Sequence, residues 1–155
     1  MLGISKPHFL PLIREGKIRT IRIGNHIDPH CPIIILCDQD NEDCVALKQR
    51  VLKLCRKTGQ QSRCIVRIAC RELESWYLAQ LDIVAAHFGV PELSNNQKRY
   101  SYPDNIANPS KELERLTKQQ YQKVKGSRIM GQHLNPDVER SASFKHFIGA
   151  LRKIS

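Results

Sequence analysis

Asp38 and Asp40 are the residues whose types and spacing most directly indicate chemistry. They follow the aliphatic run 33–36 and Cys37, and such a short apolar run predicts a buried, parallel β-strand. Ligand sites of α/β sheets lie just beyond the carboxyl ends of strands. Because side chains two apart in an extended chain point to the same side, both carboxylates can converge on one cation, and Mg²⁺ takes such oxygen ligands. The alternative is that an acid at a strand end only caps a helix or forms a turn.

Glu72 and Glu74 form a second acidic pair, after another apolar segment, 64–69, that predicts a second strand. This pair should emerge on the same edge of the sheet as Asp38. Residues two apart on a helix diverge, so at most one of the pair can face a metal. Glu72, at the strand-to-helix junction, is the better placed, and Glu74 is expected to face solvent or to pair with a basic residue. The alternative is an acidic first helical turn, which is favourable with the helix dipole.

Two acidic clusters at successive strand ends fit phosphodiester chemistry, in which metal ions held by carboxylates polarise the phosphate and activate water. This chemistry also needs a cation near the scissile phosphate, and Lys123 and Lys125 are candidates by charge alone. We therefore predict Mg²⁺ (or Mn²⁺) as the cofactor. The residues expected in catalysis are Asp38, Asp40, Glu72 and Lys123, and the expected metal ligands are Asp38, Asp40, Glu72 and Glu74.

The segments around the first acidic pair predict an α/β fold with a small, mostly parallel sheet. Apolar residues at helical spacing follow the first strand (33–37), with Asp43 placed to cap this helix and Gly59 after its end. Together with the second strand they predict one right-handed βαβ unit. Two strands are too few for a stable sheet, and the alternating segment 18–24 could supply a third.

The remaining segments predict a helical continuation. A second helix should open at Glu72 and run to Phe88, and a polar loop should cover 92–109. Three further helices are expected: one that starts at Ser110, one over 124–134, and one over 141–154 that is capped by Ser141.

The chain is strongly basic, because 25 Lys and Arg against 15 Asp and Glu give a net charge of +10. Residues 98–155 hold 12 of the basic and 5 of the acidic residues. A charge of this size favours a polyanionic partner, and we expect nucleic acid; a helical tail with a solvated basic face is the alternative. The expected organisation is a single domain, 1–155, with an atypical or truncated N-terminal segment (1–30), an α/β core with the acidic site (31–90) and a basic, mainly helical part (91–155).

Cysteine usage and hydropathy favour a cytoplasmic protein. The six cysteines contain no C-x-x-C pair, and five of them sit within apolar patterns, which predicts buried, reduced thiols. No apolar run approaches the about 18 residues of a membrane span, and no signal peptide is recognisable. His26, His30 and Cys31 could be imagined as zinc ligands, but no fourth ligand lies at the usual spacing.

Two aromatic groups each allow two interpretations. Trp76 and Tyr77 fit a buried core better than a base-stacking role. Tyr100 and Tyr102 lie beside the basic pair 98–99 in the predicted loop. That combination suits an element that contacts a nucleic-acid strand, and it suits an ordinary loop equally well.

Several spaced motifs resemble a bacterial family known only as a domain of unknown function, numbered four thousand two hundred and seventy-six. Residues 38–44, D-Q-D-N-E-D-C, resemble the family pattern D-x-D-x-x-D-C. Residues 66–78, V-R-I-A-C-R-E-L-E-S-W-Y-L, resemble the pattern V-R-I-A-C-x-E-L-E-x-W-Y-L. Segments 108–113, 121–124 and 140–144 match downstream parts of the family, so the resemblance covers roughly residues 33–153.

That family looks TOPRIM-like, an α/β fold shared with topoisomerases, primases and overcoming-lysogenization-type nucleases. Such folds hold Mg²⁺ with one strand-end glutamate and a D-x-D motif. The resemblance implies that Asp38 and Asp40 are the D-x-D pair and that Glu72 or Glu74 is a further metal or structural acid. It also implies a phage-defence setting with an ATPase partner, since family members often occur beside ATPases in such loci. On this basis we expect a divalent-metal-dependent nuclease or nuclease subunit.

The front of the chain departs from the family pattern. Family members usually begin with a strand that carries the first catalytic glutamate, whereas no apolar strand ending in Glu precedes residue 33. Glu15 lies in a segment that resembles the family's Gly-Lys segment after that strand, and residues 2–27 also resemble an excisionase (MerR-like) winged helix-turn-helix signature. These departures keep a second expectation open, namely a non-catalytic nucleic-acid-binding or ATPase-partner protein.

Overall fold

The structure is a computed structural model that describes residues 32–153. The predicted third strand (18–24), the helix-turn-helix resemblance (2–27) and the zinc alternative at His26, His30 and Cys31 lie outside these residues. Those three expectations therefore stay predictions.

A two-stranded parallel sheet is built from β1 (Ile33–Asp38) and β2 (Cys64–Ala69), which are joined by helix α1 (Cys44–Lys57). The last residues of the strands, Asp38 and Ala69, are partners in the register. The βαβ unit predicted from the sequence is therefore confirmed, and it sets the carboxyl ends of both strands at one edge.

Local sequence explains where α1 begins and ends. Asp43 caps the helix, because its Oδ1 accepts a hydrogen bond of 2.7 Å from the amide of Ala46. Gly59 follows the helix with a φ of +70°, a left-handed conformation that glycine adopts at little cost. The buried side of α1, including Leu47 and Val51, packs against the sheet in the smaller of two apolar cores.

Residues 70–153 fold into five short α-helices and two 3₁₀ segments. The helices are α2 (Glu74–Leu78), α3 (Leu81–His87), α4 (Pro109–Leu116), α5 (Lys123–His133) and α6 (Ala142–Leu151), and the 3₁₀ segments are Pro91–Tyr100 and Pro103–Asn105. The prediction of a helical C-terminal half is confirmed. The predicted loop over 92–109 is wrong in part, since most of it is 3₁₀ helix.

The single helix predicted over 72–88 is also wrong, because it is interrupted between α2 and α3. Gln80 leaves the helical conformation, with φ −135° and ψ 59°. Its side-chain Oε1 accepts a hydrogen bond of 2.7 Å from the amide of Asn135, and Arg140 donates to the carbonyl of Ala79 at 3.3 Å. Contacts with distant segments therefore accompany the break.

The larger apolar core forms around Trp76, which is only 2% exposed and packs against Phe144 and Phe147 with ring centroids 5.1 Å away in both cases. Its indole nitrogen donates to Ser143 at 2.8 Å. Tyr77 is equally buried, so the prediction that both aromatics belong to the core is confirmed.

Five cysteines lie within residues 32–153, and all five have free thiols. Cys37 and Cys55 are buried, whereas Cys44, Cys64 and Cys70 are half-buried. Burial raises the pKa of Cys37 to about 11, so this thiol stays protonated at neutral pH.

The mixed α/β class with a parallel sheet is confirmed, and the TOPRIM-like part of that expectation stays a prediction. Among residues 32–153, none of the helices has both the length and the apolar composition that crossing a membrane requires.

Candidate functional site

Asp38 ends β1 at the carboxyl edge of the sheet. Its Oδ1 accepts a hydrogen bond of 2.9 Å from the amide of Leu73, which lies beyond the end of β2. Beside it, the amide of Gln39 donates to the carbonyl of Ala69 at 2.9 Å. These bonds join the chain segments that leave the two strands, so Asp38 stabilises this edge whatever else its carboxylate contacts.

Asp40 lies in an exposed turn directly after β1. Its φ is +51°, in the left-handed region that aspartate enters more readily than most residues. Its amide donates to the carbonyl of Arg71 at 2.8 Å, which ties the turn to the segment after β2. Because the chain is no longer extended at Asp40, the strand alternation from which we expected Asp38 and Asp40 to share a side does not apply. Both residues still belong to the same edge of the sheet.

Glu72 follows β2 at this edge and contacts two other elements. Its Oε2 accepts a hydrogen bond of 2.8 Å from the amide of Ser110 in α4, and its Oε1 lies 3.5 Å from the Nζ of Lys123, the first residue of α5. Burial alone would raise the pKa of Glu72, but the hydrogen bond from Ser110 and the charge of Lys123 outweigh it and hold the pKa below its usual range. Glu72 therefore stays ionised and joins the starts of two helices.

Glu74 begins α2 and is 0% exposed. Its Oε1 accepts a hydrogen bond of 2.8 Å from the hydroxyl of Tyr121, whereas its Oε2 is buried and has no hydrogen-bond partner within residues 32–153. The expectation that Glu74 faces solvent or a basic residue is therefore wrong. The reason is that every residue of α2 is buried, so this short helix offers no exposed side.

No group of three or more His, Cys, Asp or Glu side chains within residues 32–153 is arranged to hold a metal ion. The predicted convergence of Asp38, Asp40 and Glu72 on one ion is accordingly not found there, and Glu72 instead contacts Ser110 and Lys123. Glu74 is directed to the core. Asp38 and Asp40 lie at the end of β1 and in the turn after it, and metal binding by them stays a prediction.

Of the two lysines considered for the scissile phosphate, Lys123 is the one beside the site. It contacts Glu72, while its side chain remains 46% exposed and can reach solvent. Lys125 is exposed and forms no ion pair with any residue in the described range. The position of Lys123 is compatible with the role expected from the sequence.

Ser110 and Tyr121 were not identified from the sequence. Ser110 donates to Glu72, and Tyr121 donates to Glu74. Both lie in segments that we matched to the family only as downstream motifs, 108–113 and 121–124. The family resemblance of these two segments was therefore a signal for Ser110 and Tyr121. Motifs that recur together with an acidic site can be the ones that pack against it.

Comparison with family models matches residues 9–152 to a domain of unknown function, DUF4276. The match includes both acidic pairs and Lys123. No curated protein and no solved structure matches the chain.

Proposed function

The chain belongs to the DUF4276 family, and we propose that it is a divalent-metal-dependent, TOPRIM-like nuclease or nuclease subunit. The observation that carries the proposal is the position of Asp38 and Asp40 together at the carboxyl edge of a parallel sheet. Ligands of α/β proteins bind at such edges. The net charge of +10 supports a nucleic acid as the substrate.

The donor set at this edge fits Mg²⁺ or Mn²⁺. Mg²⁺ is commonly bound through one or two carboxylates, with water and substrate phosphate completing its ligands. Asp38 and Asp40 would supply these carboxylates. When bound, such an ion polarises a phosphate oxygen and lowers the pKa of its water.

The other residues of the site have separate tasks in this proposal. Leu73 donates to Asp38 and fixes the orientation of its carboxylate. Glu72 is a positioning residue, because it holds Lys123 at 3.5 Å while it anchors α4. Lys123 is then the cation available to a substrate phosphate, since nearly half of its side chain is exposed.

The test is cleavage of labelled single- and double-stranded DNA by the purified chain, with and without Mn²⁺. The variant Asp38→Asn keeps an oxygen that can accept from Leu73, and Asp40→Asn suits the left-handed turn because asparagine also tolerates it. Both variants should remove metal-dependent cleavage. Asp82→Asn is the control, because Asp82 is exposed on α3. Cleavage that survives in both site variants, or that is lost in the control as well, contradicts the assignment.

A second candidate function is a non-catalytic nucleic-acid-binding or ATPase-partner protein. It is favoured by the finding that no group of three or more His, Cys, Asp or Glu side chains within residues 32–153 is arranged to hold a metal ion. This function predicts binding that falls steeply with salt and is indifferent to Mn²⁺, to Asp38→Asn and to Asp40→Asn, with no cleavage. The ATPase partner and the phage-defence setting are proposed from the family resemblance alone.

A further inference from the structure

An open cavity of about 500 Å³ lies between the end of the 3₁₀ segment Pro91–Tyr100 and the helix α4. We call it the basic groove and define it by Arg99, Asn108, Lys111, Glu112 and Arg115, with Ile106 among its apolar residues. Three of these side chains are cationic and one is anionic. The groove is therefore electropositive, and the acid within it decides how many of the cations remain available.

The carboxylate of Glu112 is hydrogen-bonded to two neighbouring side chains. Its carboxylate accepts hydrogen bonds from Arg115 at 2.9 and 2.7 Å and a further one from the hydroxyl of Tyr100. These bonds from Arg115 lower the pKa of Glu112 to about 2 against the opposing effect of its partial burial. Glu112 therefore neutralises Arg115 and fixes the wall of the groove.

Arg99 and Lys111 are the other two cations of the groove, and the guanidinium of Arg99 lies over the ring of Tyr100, 6.0 Å from its centroid. Both side chains are exposed, and neither forms an ion pair within residues 32–153. The groove has three cations and one anion, which gives it a net charge of +2. Because Glu112 is paired with Arg115, this charge is carried by Arg99 and Lys111. Such an arrangement is complementary to phosphate groups, which arginine contacts through its planar fork and lysine as a point charge.

We propose that the basic groove binds the phosphodiester backbone of single-stranded nucleic acid. The groove has room for one or two nucleotides of a strand. Tyr100 also lines the groove, and Tyr102, two positions later, is 77% exposed. The ring of Tyr102 offers a surface on which an unpaired base can stack. The inference deepens the proposed function, on which it rests for the choice of nucleic acid as the ligand.

The groove is connected to the acidic edge through the first turn of α4. Ser110, whose amide donates to Glu72, lies between the groove residues Asn108 and Lys111. The same Glu72 carboxylate contacts Lys123. A strand held in the groove would thus lie beside the start of α4, next to the residue that positions Lys123.

The test measures the fluorescence anisotropy of a labelled oligothymidylate of about 12 nucleotides, in EDTA so that no cleavage occurs. The groove variant is Arg99→Gln with Lys111→Gln. The matched control is Lys48→Gln with Lys53→Gln, which removes the same charge from exposed positions on α1. Thermal melting of both variants should match that of the wild type, because all four side chains are exposed.

The groove variant should bind roughly tenfold more weakly than the wild type, with a salt slope smaller by about 1.4, since each single-strand phosphate contact contributes about 0.7. The control should keep most of the affinity and the slope. Equal losses in the two variants, or no loss in the groove variant, overturn the proposal. Tighter binding of a duplex of the same length, or full competition by inorganic phosphate at low concentration, also overturns the single-strand assignment.

These outcomes separate the groove from the proposed nuclease function. Suppose that the groove variant binds normally, that the wild-type chain cleaves in Mn²⁺ and that Asp38→Asn does not. The groove assignment then fails and the nuclease function stands. If the groove variant loses binding while the wild-type chain cleaves nothing in Mn²⁺, the groove assignment stands and the nuclease function fails.

Discussion

The hydroxyl of Tyr121 donates a hydrogen bond of 2.8 Å to the carboxylate of Glu74, and both side chains are almost completely buried. Burial and the adjacent carboxylate raise the pKa of Tyr121, so the phenol remains the donor. The ring packs near Tyr77 and Phe88, with centroids 6.2 and 5.8 Å away. One polar contact inside an apolar core thus joins α2, which follows the acidic edge, to the segment that leads into α5.

Tyr121→Phe should test the strength of this contact. The variant keeps the ring and its packing but removes the donor to Oε1 of Glu74, whose Oε2 already has no hydrogen-bond partner within residues 32–153. We expect a loss of about 2 kcal/mol in the free energy of unfolding, which is typical of a buried polar group that loses its partner. Urea denaturation followed by circular dichroism measures it, with Tyr102→Phe as an exposed control. Equal midpoints for Tyr121→Phe and the wild type would show that the bond contributes little.

Gly126→Ala should be destabilising for a related reason. A Cβ at Gly126 would overlap the ring of Tyr121, which is held in the core and cannot move away easily. We expect a loss of about 2 kcal/mol from overpacking. Gly131→Ala is the matched control in the same helix, because a Cβ there meets nothing within 4 Å. That variant should gain up to about 1 kcal/mol, as alanine is the better helix former. Destabilisation by both variants would contradict the steric explanation.

The βαβ unit could be predicted from the sequence because its signals are local. The aliphatic run at 33–36, the cap Asp43 and the left-handed Gly59 lie within or beside the elements they define. The break between α2 and α3 could not be predicted in this way. Its hydrogen bonds come from Asn135 and Arg140, more than 50 residues away along the chain.

The candidate site, too, could be predicted from the sequence only where local signals determine it. The position of Asp38 at a strand end follows from the apolar run before it. The burial of Glu74 depends on Tyr121, 47 residues later in the chain, and no local pattern reveals it. We expected an extended chain at Asp40, but this residue lies in a turn. Its amide donates a hydrogen bond to the segment after β2, and no local pattern predicts that contact.

Glu112→Gln should change how stability depends on pH. The pKa of Glu112 is lowered from 4.5 to about 2 in the folded chain, so its contribution is fully present above pH 4.5 and is lost as the pH falls towards 2. We expect the variant to be less stable by about 1 kcal/mol at neutral pH, because Arg115 is 57% exposed and solvent screens its charge. The difference from the wild type should vanish near pH 2.

Denaturation midpoints of both proteins at several pH values measure this difference. Glu114→Gln on the same helix serves as the control, since Glu114 forms no ion pair within residues 32–153. A difference between Glu112→Gln and the wild type that stays constant down to pH 2 would mean that the ionised form of Glu112 is not what stabilises the fold.

Glu72 tests whether an acid at the sheet edge binds metal or positions other groups. Asn108 is the N-cap residue of α4, but its side chain makes no capping hydrogen bond. The carboxylate of Glu72 caps the helix instead, because it accepts a hydrogen bond from the amide of Ser110. Glu72→Ala removes this bond and should cost about 1 kcal/mol, as the loss of a cap does. Glu72→Gln keeps an acceptor for Ser110 and should cost less.

Mn²⁺ titration of Glu72→Gln by calorimetry then separates the two roles. A positioning residue predicts unchanged Mn²⁺ affinity, because Asp38 and Asp40 remain intact, together with reduced cleavage as Lys123 loses the charge that holds it. The comparison variant is Asp38→Asn, which should lose Mn²⁺ binding. If Glu72→Gln loses Mn²⁺ affinity as strongly as Asp38→Asn does, Glu72 is a ligand after all, and its bonds to Ser110 and Lys123 must be exchanged when the metal binds.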